Sequence, residues 1–131
     1  MRRNAGKGFP MNENKEILQI DSPRKNVFGP WLVVHKDVSE RWAIVVLHWK
    51  SDGSNKIEPC LGIRWFYGNQ GTPSVRSFAT WLIIPNQIAD AVLSKLPLAP
   101  QLRQEVNDIL LGKYSIAELT EKRNNYLINL I

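Results

Sequence analysis

The sequence predicts an α+β fold: a twisted antiparallel β-meander of about four strands, followed by two or three C-terminal helices packed on one face. Two observations support this class. Between residues 27 and 84, runs rich in β-branched and aromatic residues alternate with short turns, which join neighbouring strands antiparallel. From residue 85 onward, apolar residues recur with the 3.6-residue period of amphipathic helices.

The predicted strands are bounded by turn residues. Pro30 limits the first strand to the residues after it, since proline donates no ladder hydrogen bond. Asp-Gly within "SDGSN" (51–55) and the stretch "GNQGTP" (68–73) mark two hairpin turns. The strands then fall at 31–36, 41–50, 57–67 and 74–84.

Three helices follow Pro85. The first has Asn86 as its predicted N-cap, the second ends at Gly112, and the third opens with the capping-box pair Ser115 and Glu118. Their predicted apolar stripes are Ile88, Ala91, Val92 and Leu96, then Leu98, Leu102, Val106, Ile109 and Leu110, then Ile116, Leu119, Tyr126, Leu127 and Leu130.

The chain of 131 residues suits a single domain with one modest core. Residues 1–26 are polar and lack periodicity, apart from "EILQI" (16–20), which could form a short edge strand. They are therefore predicted to be a poorly structured basic arm that precedes a single domain at 27–131. The cations assigned to the arm are Arg2, Arg3, Lys7, Arg24 and Lys25.

Composition narrows the class of protein further. The longest apolar runs are only a few residues, so no transmembrane helix and no membrane partner are expected, and the N-terminus lacks the apolar stretch of a secretory signal. Cys60 is the single cysteine, which excludes an internal disulfide and leaves little basis for a zinc site. We therefore expect a cytoplasmic protein without metal or other cofactor.

The charge distribution favours anionic partners. The formal net charge is +5, and residues 1–25 hold six Lys or Arg against three Asp or Glu. Residues 26–84 hold six against four, whereas residues 85–131 hold five of each. The excess of positive charge therefore lies on the arm and the predicted sheet, which points first to nucleic acid.

Side chains alternate across a strand, so residue parity predicts which side chains share a face of the sheet. One predicted face collects Trp49, Trp65 and Trp81 with aliphatic residues, and we expect the helices to cover it. The opposite face interleaves cations with aromatic rings: Trp42, His48, Lys50, Arg64, Phe66, Arg76, Phe78 and Thr80.

That second face predicts a platform for unstacked bases, because rings stack on bases and cations follow the phosphate backbone. An alternative stays open from the sequence. Phe66, Phe78, Leu82 and Ile84 could instead be buried under the N-terminal arm or a second subunit, with the arginines at the rim.

The fragments "LGIRWFY", "GTPSVRSFATWLIIP" and "NQIADAVLSKL" follow one another in that order. Over about residues 42–96, the chain resembles the single-stranded-DNA-binding transcriptional coactivator family (positive cofactor four and its short bacterial relatives). Ile63, Arg64 and Trp65 match the family's Ile-Arg-aromatic strand, and Gly71 and Pro73 match its turn. The resemblance implies a dimer whose helices pack together and whose sheets carry single-stranded nucleic acid.

No catalytic constellation is recognisable. His35 and His48 lie in strand-like apolar contexts, "GNQGTP" lacks the Lys-Ser/Thr of a phosphate-binding loop, and no carboxylate pair forms a convincing site. The sequence therefore predicts a non-enzymatic protein that binds single-stranded DNA or RNA. The alternative is a small protein-interaction module, such as an inhibitor, adaptor or immunity-type protein, that uses the same face. The apolar end "NNYLINLI" further predicts a homodimer or larger assembly.

Overall fold

A computed structural model of the chain describes residues 14–67 and 71–129. The arm cations Arg2, Arg3 and Lys7 lie outside the described residues, as does Leu130 of the last helix stripe. The helices are α1 (Asn14–Ile17), α2 (Asn86–Ser94), α3 (Pro100–Leu110) and α4 (Ile116–Asn129). The strands are β1 (Val27–Asp37), β2 (Trp42–Lys50), β3 (Ile57–Trp65), β4 (Ser74–Val75), β5 (Phe78–Ala79) and β6 (Leu82–Ile84).

The main sheet has four antiparallel strands in the order β1-β2-β3-β6, and the C-terminal helices follow it. The predicted α+β class and meander are thereby confirmed. The prediction that the first strand lies only after Pro30 is wrong, since β1 begins at Val27. Its ladder to β2 is interrupted between Phe28 and Leu32. That interruption, on an edge strand, accommodates a residue without an N–H donor.

The prediction of one continuous strand at 74–84 is wrong. β4 and β5 instead form a separate two-stranded hairpin, which joins Val75 to Phe78 through Arg76 and Ser77. Both turn residues have positive φ, at 50° and 71°, so the chain reverses within two residues. It rejoins the main sheet only at Leu82.

The register between β2 and β3 overturns the predicted faces. Trp42 lies opposite Trp65, and Ala43 lies opposite Arg64. Directly opposed residues share a face, so even-numbered residues of β2 lie with odd-numbered residues of β3. The predicted faces instead grouped the even-numbered residues of both strands together and the odd-numbered residues together. Trp65 therefore shares a face with Trp42, whereas Trp49 lies on the face of Arg64.

Helices α2, α3 and α4 cover the Trp42 face of the sheet. The buried residues of this first core are Trp31, Val34, Ile44, Val46, Leu61, Ile84, Ala89, Leu93, Val106, Ile109 and Leu119. The predicted stripe of α3 is confirmed at Val106 and Ile109. The stripe of α2 is rotated, since Ala89 and Leu93 are buried while Ile88 is about half exposed.

The ends of the last two helices follow the sequence prediction. Gly112 closes the turn after α3 with a φ of +79°, the left-handed conformation that glycine adopts readily. The Ser115 hydroxyl accepts a hydrogen bond from the Glu118 N–H at 3.0 Å, and the Glu118 carboxylate accepts one from the Ser115 N–H at 2.8 Å. This reciprocal pair is the predicted capping box. By contrast, Asn86 is the first residue of α2, and Pro85 precedes it without a side-chain cap.

The opposite face of the sheet carries a second core, formed by Ile17, Ile20, Ala43, Val45, Leu47, Cys60, Phe66 and Trp81. The N-terminal segment, residues 14–26, supplies Ile17 and Ile20. The Trp81 indole N–H donates to the Ile20 carbonyl at 2.8 Å. The prediction of a poorly structured arm through residue 26 is therefore wrong for residues 14–26. Residues 16–20 form part of a short helix and a turn that buries Leu18 and Ile20, rather than an edge strand.

A buried histidine of β2 is hydrogen-bonded to a tryptophan of β1. The indole N–H of Trp31 donates to His48 Nδ1 at 2.9 Å, and both side chains are buried. Burial holds the pKa of His48 below its ordinary value of 6.5. Protonation at Nδ1 would also remove the acceptor that Trp31 uses.

This arrangement predicts a pH-dependent stability. As pH falls, His48 is protonated in the unfolded chain before it is protonated in the folded protein. The free energy of unfolding therefore loses nothing to this histidine above about pH 6.5 and decreases as pH drops below that value. Urea denaturation at about pH 7.5 and about pH 5.5 would measure the loss, and His48→Gln should diminish it. The matched variant His35→Gln should retain it. An unchanged pH dependence in His48→Gln would contradict the assignment.

Candidate nucleic-acid interface

The predicted platform is not an exposed surface. Arg64 and Phe66 are 0 % exposed, and His48 is buried beside Trp31 of the first core. Trp42 packs partly buried against the helix layer, and Lys50 is half-buried at the end of β2. The correction has a physical reason: the N-terminal segment covers the sheet face on which Arg64 and Phe66 lie.

Arg64 acts as an internal clamp. Its Nη1 donates to the Pro73 carbonyl at 2.8 Å and also to the Thr80 carbonyl. These two residues flank the β4–β5 hairpin. The Thr80 N–H also donates to the Pro73 carbonyl at 3.2 Å, so the two flanking residues are bonded to each other. A single buried guanidinium thus joins the two ends of the hairpin to β3.

Phe66 lies under this guanidinium. The Arg64 Cζ is 5.2 Å from the centroid of the Phe66 ring, within cation–π range. Burial lowers the pKa of Arg64 to about 10, which leaves the side chain charged at neutral pH. The Phe66 N–H also donates to the Arg41 carbonyl at 2.8 Å, so the clamp is continuous with the β1–β2 turn.

The hairpin that Arg64 holds, residues 74–79, carries the remaining residues of the predicted platform, Arg76 and Phe78. Arg76 and Phe78 are both exposed, and 64 % of the Phe78 side chain is open to solvent. The turn places Arg76 and Ser77 at positive φ, where Asn and Gly are the usual residues of two-residue hairpins. Such backbone strain is concentrated at functional sites, which makes this hairpin the candidate interface.

Two exposed neighbours were not among the predicted site residues. Tyr67 is exposed beyond the end of β3, and its hydroxyl donates to the Glu40 carbonyl at 2.8 Å. Val75 is exposed on the hairpin itself. Val75-Arg76-Ser77-Phe78 lacks Asn-Gly or Asp-Gly, the sequence signal for a tight turn. The sequence pattern therefore predicts a continuous strand at this point.

Arg24 and Lys25, which the sequence assigned to the basic arm, lie on the surface. Arg24 is 3.6 Å from Asp21 and Lys25 is 3.8 Å from Asp52, in exposed ion pairs that salt screens readily. Such pairs add little to stability, and they leave the cations accessible to a competing anion.

The described residues offer little for metal binding or for thiol chemistry. Across residues 14–67 and 71–129, no three His, Cys, Asp or Glu side chains come together in a way that could hold a metal ion. Burial raises the pKa of the Cys60 thiol to about 12, so it stays protonated. Within the same residues, no helix has the length and apolarity needed to cross a membrane.

Comparison with known proteins adds no relative. No family model matches the chain, and neither the curated proteins nor the solved structures gave a significant match. The resemblance to the single-stranded-DNA-binding coactivators therefore stays a prediction from the sequence.

Proposed function

We propose that the protein is a non-enzymatic nucleic-acid-binding protein that favours single-stranded DNA or RNA and contacts it through the 74–79 hairpin. One observation carries the proposal: an exposed ring, Phe78, and an exposed cation, Arg76, lie on a strained hairpin that a buried arginine holds in place. A base can stack on the ring while the guanidinium pairs with phosphate. The net charge of +5 supports attraction of a polyanion.

Fluorescence anisotropy with a labelled oligothymidine tests the proposal. Phe78→Ala should weaken binding by about 1–3 kcal/mol, the typical contribution of one stacked base. Arg76→Asn, which tolerates positive φ, should weaken binding and lower the slope of log affinity against log salt by about 1. Titrations at a low and a physiological salt concentration measure both effects.

Matched controls come from the helical layer. Leu111, just after α3, is 72 % exposed, close to the 64 % of Phe78, and Lys95 is an exposed cation just after α2. Leu111→Ala and Lys95→Asn should bind the oligonucleotide like the wild type. The proposal fails if the wild type does not bind at low salt, or if the hairpin variants and the controls bind equally.

A second candidate, a protein-interaction module, is favoured by a different observation. The apolar side chains of Val75, Phe78 and Leu82 are all exposed, and Leu82 begins β6, an edge strand of the main sheet. Exposed apolar groups near an edge suit a protein partner. A nuclease-resistant, stoichiometric complex that Phe78→Ala abolishes and Leu111→Ala leaves intact would favour this candidate over nucleic acid.

We also propose self-association and a cytoplasmic location. The exposed side chain of Ile128 near the end of α4 supports the first, because a monomer leaves it in water. Light scattering should then give a mass above the 15.0 kDa of one chain. The single, buried and protonated Cys60 suits a reducing compartment.

A further inference from the structure

A cleft of about 480 Å³ lies where β1, α1, α3 and α4 meet. Its volume falls within the range of small-molecule sites. Its apolar lining consists of Trp31, Leu32, Val33, Leu102, Ile109 and Leu119. Its polar lining consists of Asn14, Glu105, Lys122, Arg123, Asn125 and Tyr126. This cleft is separate from the residues assigned to the hairpin interface.

The charges in the cleft do not balance. Lys122 Nζ is 3.5 Å from Glu105 Oε2 and lies 5.1 Å from the centroid of the Tyr114 ring, so this cation is compensated. Arg123, next to it in the sequence, has no carboxylate within 4 Å among the residues described. The wall therefore carries one positive charge in excess.

Arg123 is also only partly satisfied by hydrogen bonds. Its Nη2 donates to the Leu18 carbonyl at 2.7 Å, while its buried Nε has no hydrogen-bond acceptor in the described part of the chain. Burial lowers the pKa of Arg123, and Asp21 opposes that shift only in part. A half-buried guanidinium without an ion-pair partner gains more from an anion than an exposed one does.

We propose that the cleft binds a small amphipathic monoanion, with its apolar chain or ring on the Trp31–Leu119 floor and its carboxylate-type head against Arg123. Burial of apolar surface favours the body, and a charge-assisted hydrogen bond favours the head. The proposal does not depend on the role of the hairpin, and its probes differ from those used there.

Isothermal titration calorimetry of the full chain with octanoate, and in parallel with octylammonium, tests the proposal below the micelle concentration of either probe. Octanoate should saturate one site per chain. Octylammonium, with the same apolar body and the opposite charge, should bind at least about tenfold more weakly. Arg123→Gln should weaken octanoate binding about tenfold or more and bring the two affinities together.

Two further variants separate binding from folding. Arg123 also holds the Leu18 carbonyl, so Asn125→Trp is used to fill the cleft from an exposed position of α4. It should abolish octanoate binding while the thermal unfolding midpoint stays near that of the wild type. Lys113→Gln, which removes an exposed cation outside the cleft, should bind normally.

Any of four results overturns the proposal. These are the absence of saturable octanoate binding, equal affinity for the two probes, full affinity in Arg123→Gln, and full affinity in Asn125→Trp. The first two test the ligand class, and the last two test the location of the site. None of them depends on whether the hairpin binds nucleic acid.

Discussion

Replacement of Arg64 by alanine is expected to lower the free energy of unfolding by about 3–5 kcal/mol. The variant leaves the carbonyls of Pro73 and Thr80 without the guanidinium donor that both use, and it opens a cavity above Phe66. The loss of two hydrogen bonds from a buried donor and the creation of a cavity each carry a penalty, and here they fall at one position. Urea denaturation followed by tryptophan fluorescence measures the change.

Controls for this variant test the clamp itself. Arg24→Ala removes an exposed arginine and should change the free energy of unfolding by less than about 0.5 kcal/mol. Arg64→Lys keeps the charge but lacks the planar fork, so its loss should lie between those of Arg24→Ala and Arg64→Ala. Hydrogen exchange of the 74–79 amides should accelerate in Arg64→Ala more than exchange in α3. A loss below about 1 kcal/mol would show that the clamp is unimportant.

Gly71→Ala is expected to destabilise the protein by about 3 kcal/mol or more. Gly71 has a φ of +70°, and a Cβ added there would lie 2.6 Å from Arg64 Nη2 and would overlap the Trp65 carbonyl oxygen. Backbone strain and steric overlap therefore both lower the free energy of unfolding at this position. The overlap includes the Arg64 guanidinium that forms the clamp. Thermal or urea unfolding measures the loss.

Gly53 offers a matched control for the steric part. It has a similar φ of +76°, but nothing lies within 4 Å of the Cβ that a side chain would add. Gly53→Ala should therefore lose only the conformational part, about 1–2 kcal/mol. Equal losses in the two variants would mean that the chain around residue 71 relaxes freely, which the buried clamp does not allow.

Several parts of the fold that depend on local chemistry were predictable from the sequence. The capping box at Ser115 and Glu118, the glycine stop at Gly112 and the apolar stripe of α3 involve residues close together in the chain. Their geometry follows from dihedral preferences and helix periodicity, so no tertiary information was needed.

The faces of the sheet were not predictable in this way. Parity groups side chains within one strand, but the grouping between strands depends on register, and a shift of one residue inverts it. The pairing of Trp42 with Trp65 joins an even to an odd position, so the three tryptophans expected on one face were separated. Nothing in the "SDGSN" turn fixes that register from the sequence alone.

The candidate site was predictable only in part. Arg76 and Phe78 are exposed, as a binding surface requires, whereas Arg64 and Phe66 are buried. A single sequence shows an arginine beside aromatic residues in both cases. What separates them is whether a distant segment covers the face, and here Ile17 and Ile20 belong to that segment.

The buried thiol of Cys60 has a practical consequence. Because it is protonated and enclosed, and because the chain has no other cysteine, maleimide reagents should spare the folded wild-type protein. A cysteine introduced at Ser77, on the exposed turn, would then be the sole labelling position. A fluorophore attached there would report directly on what approaches the hairpin.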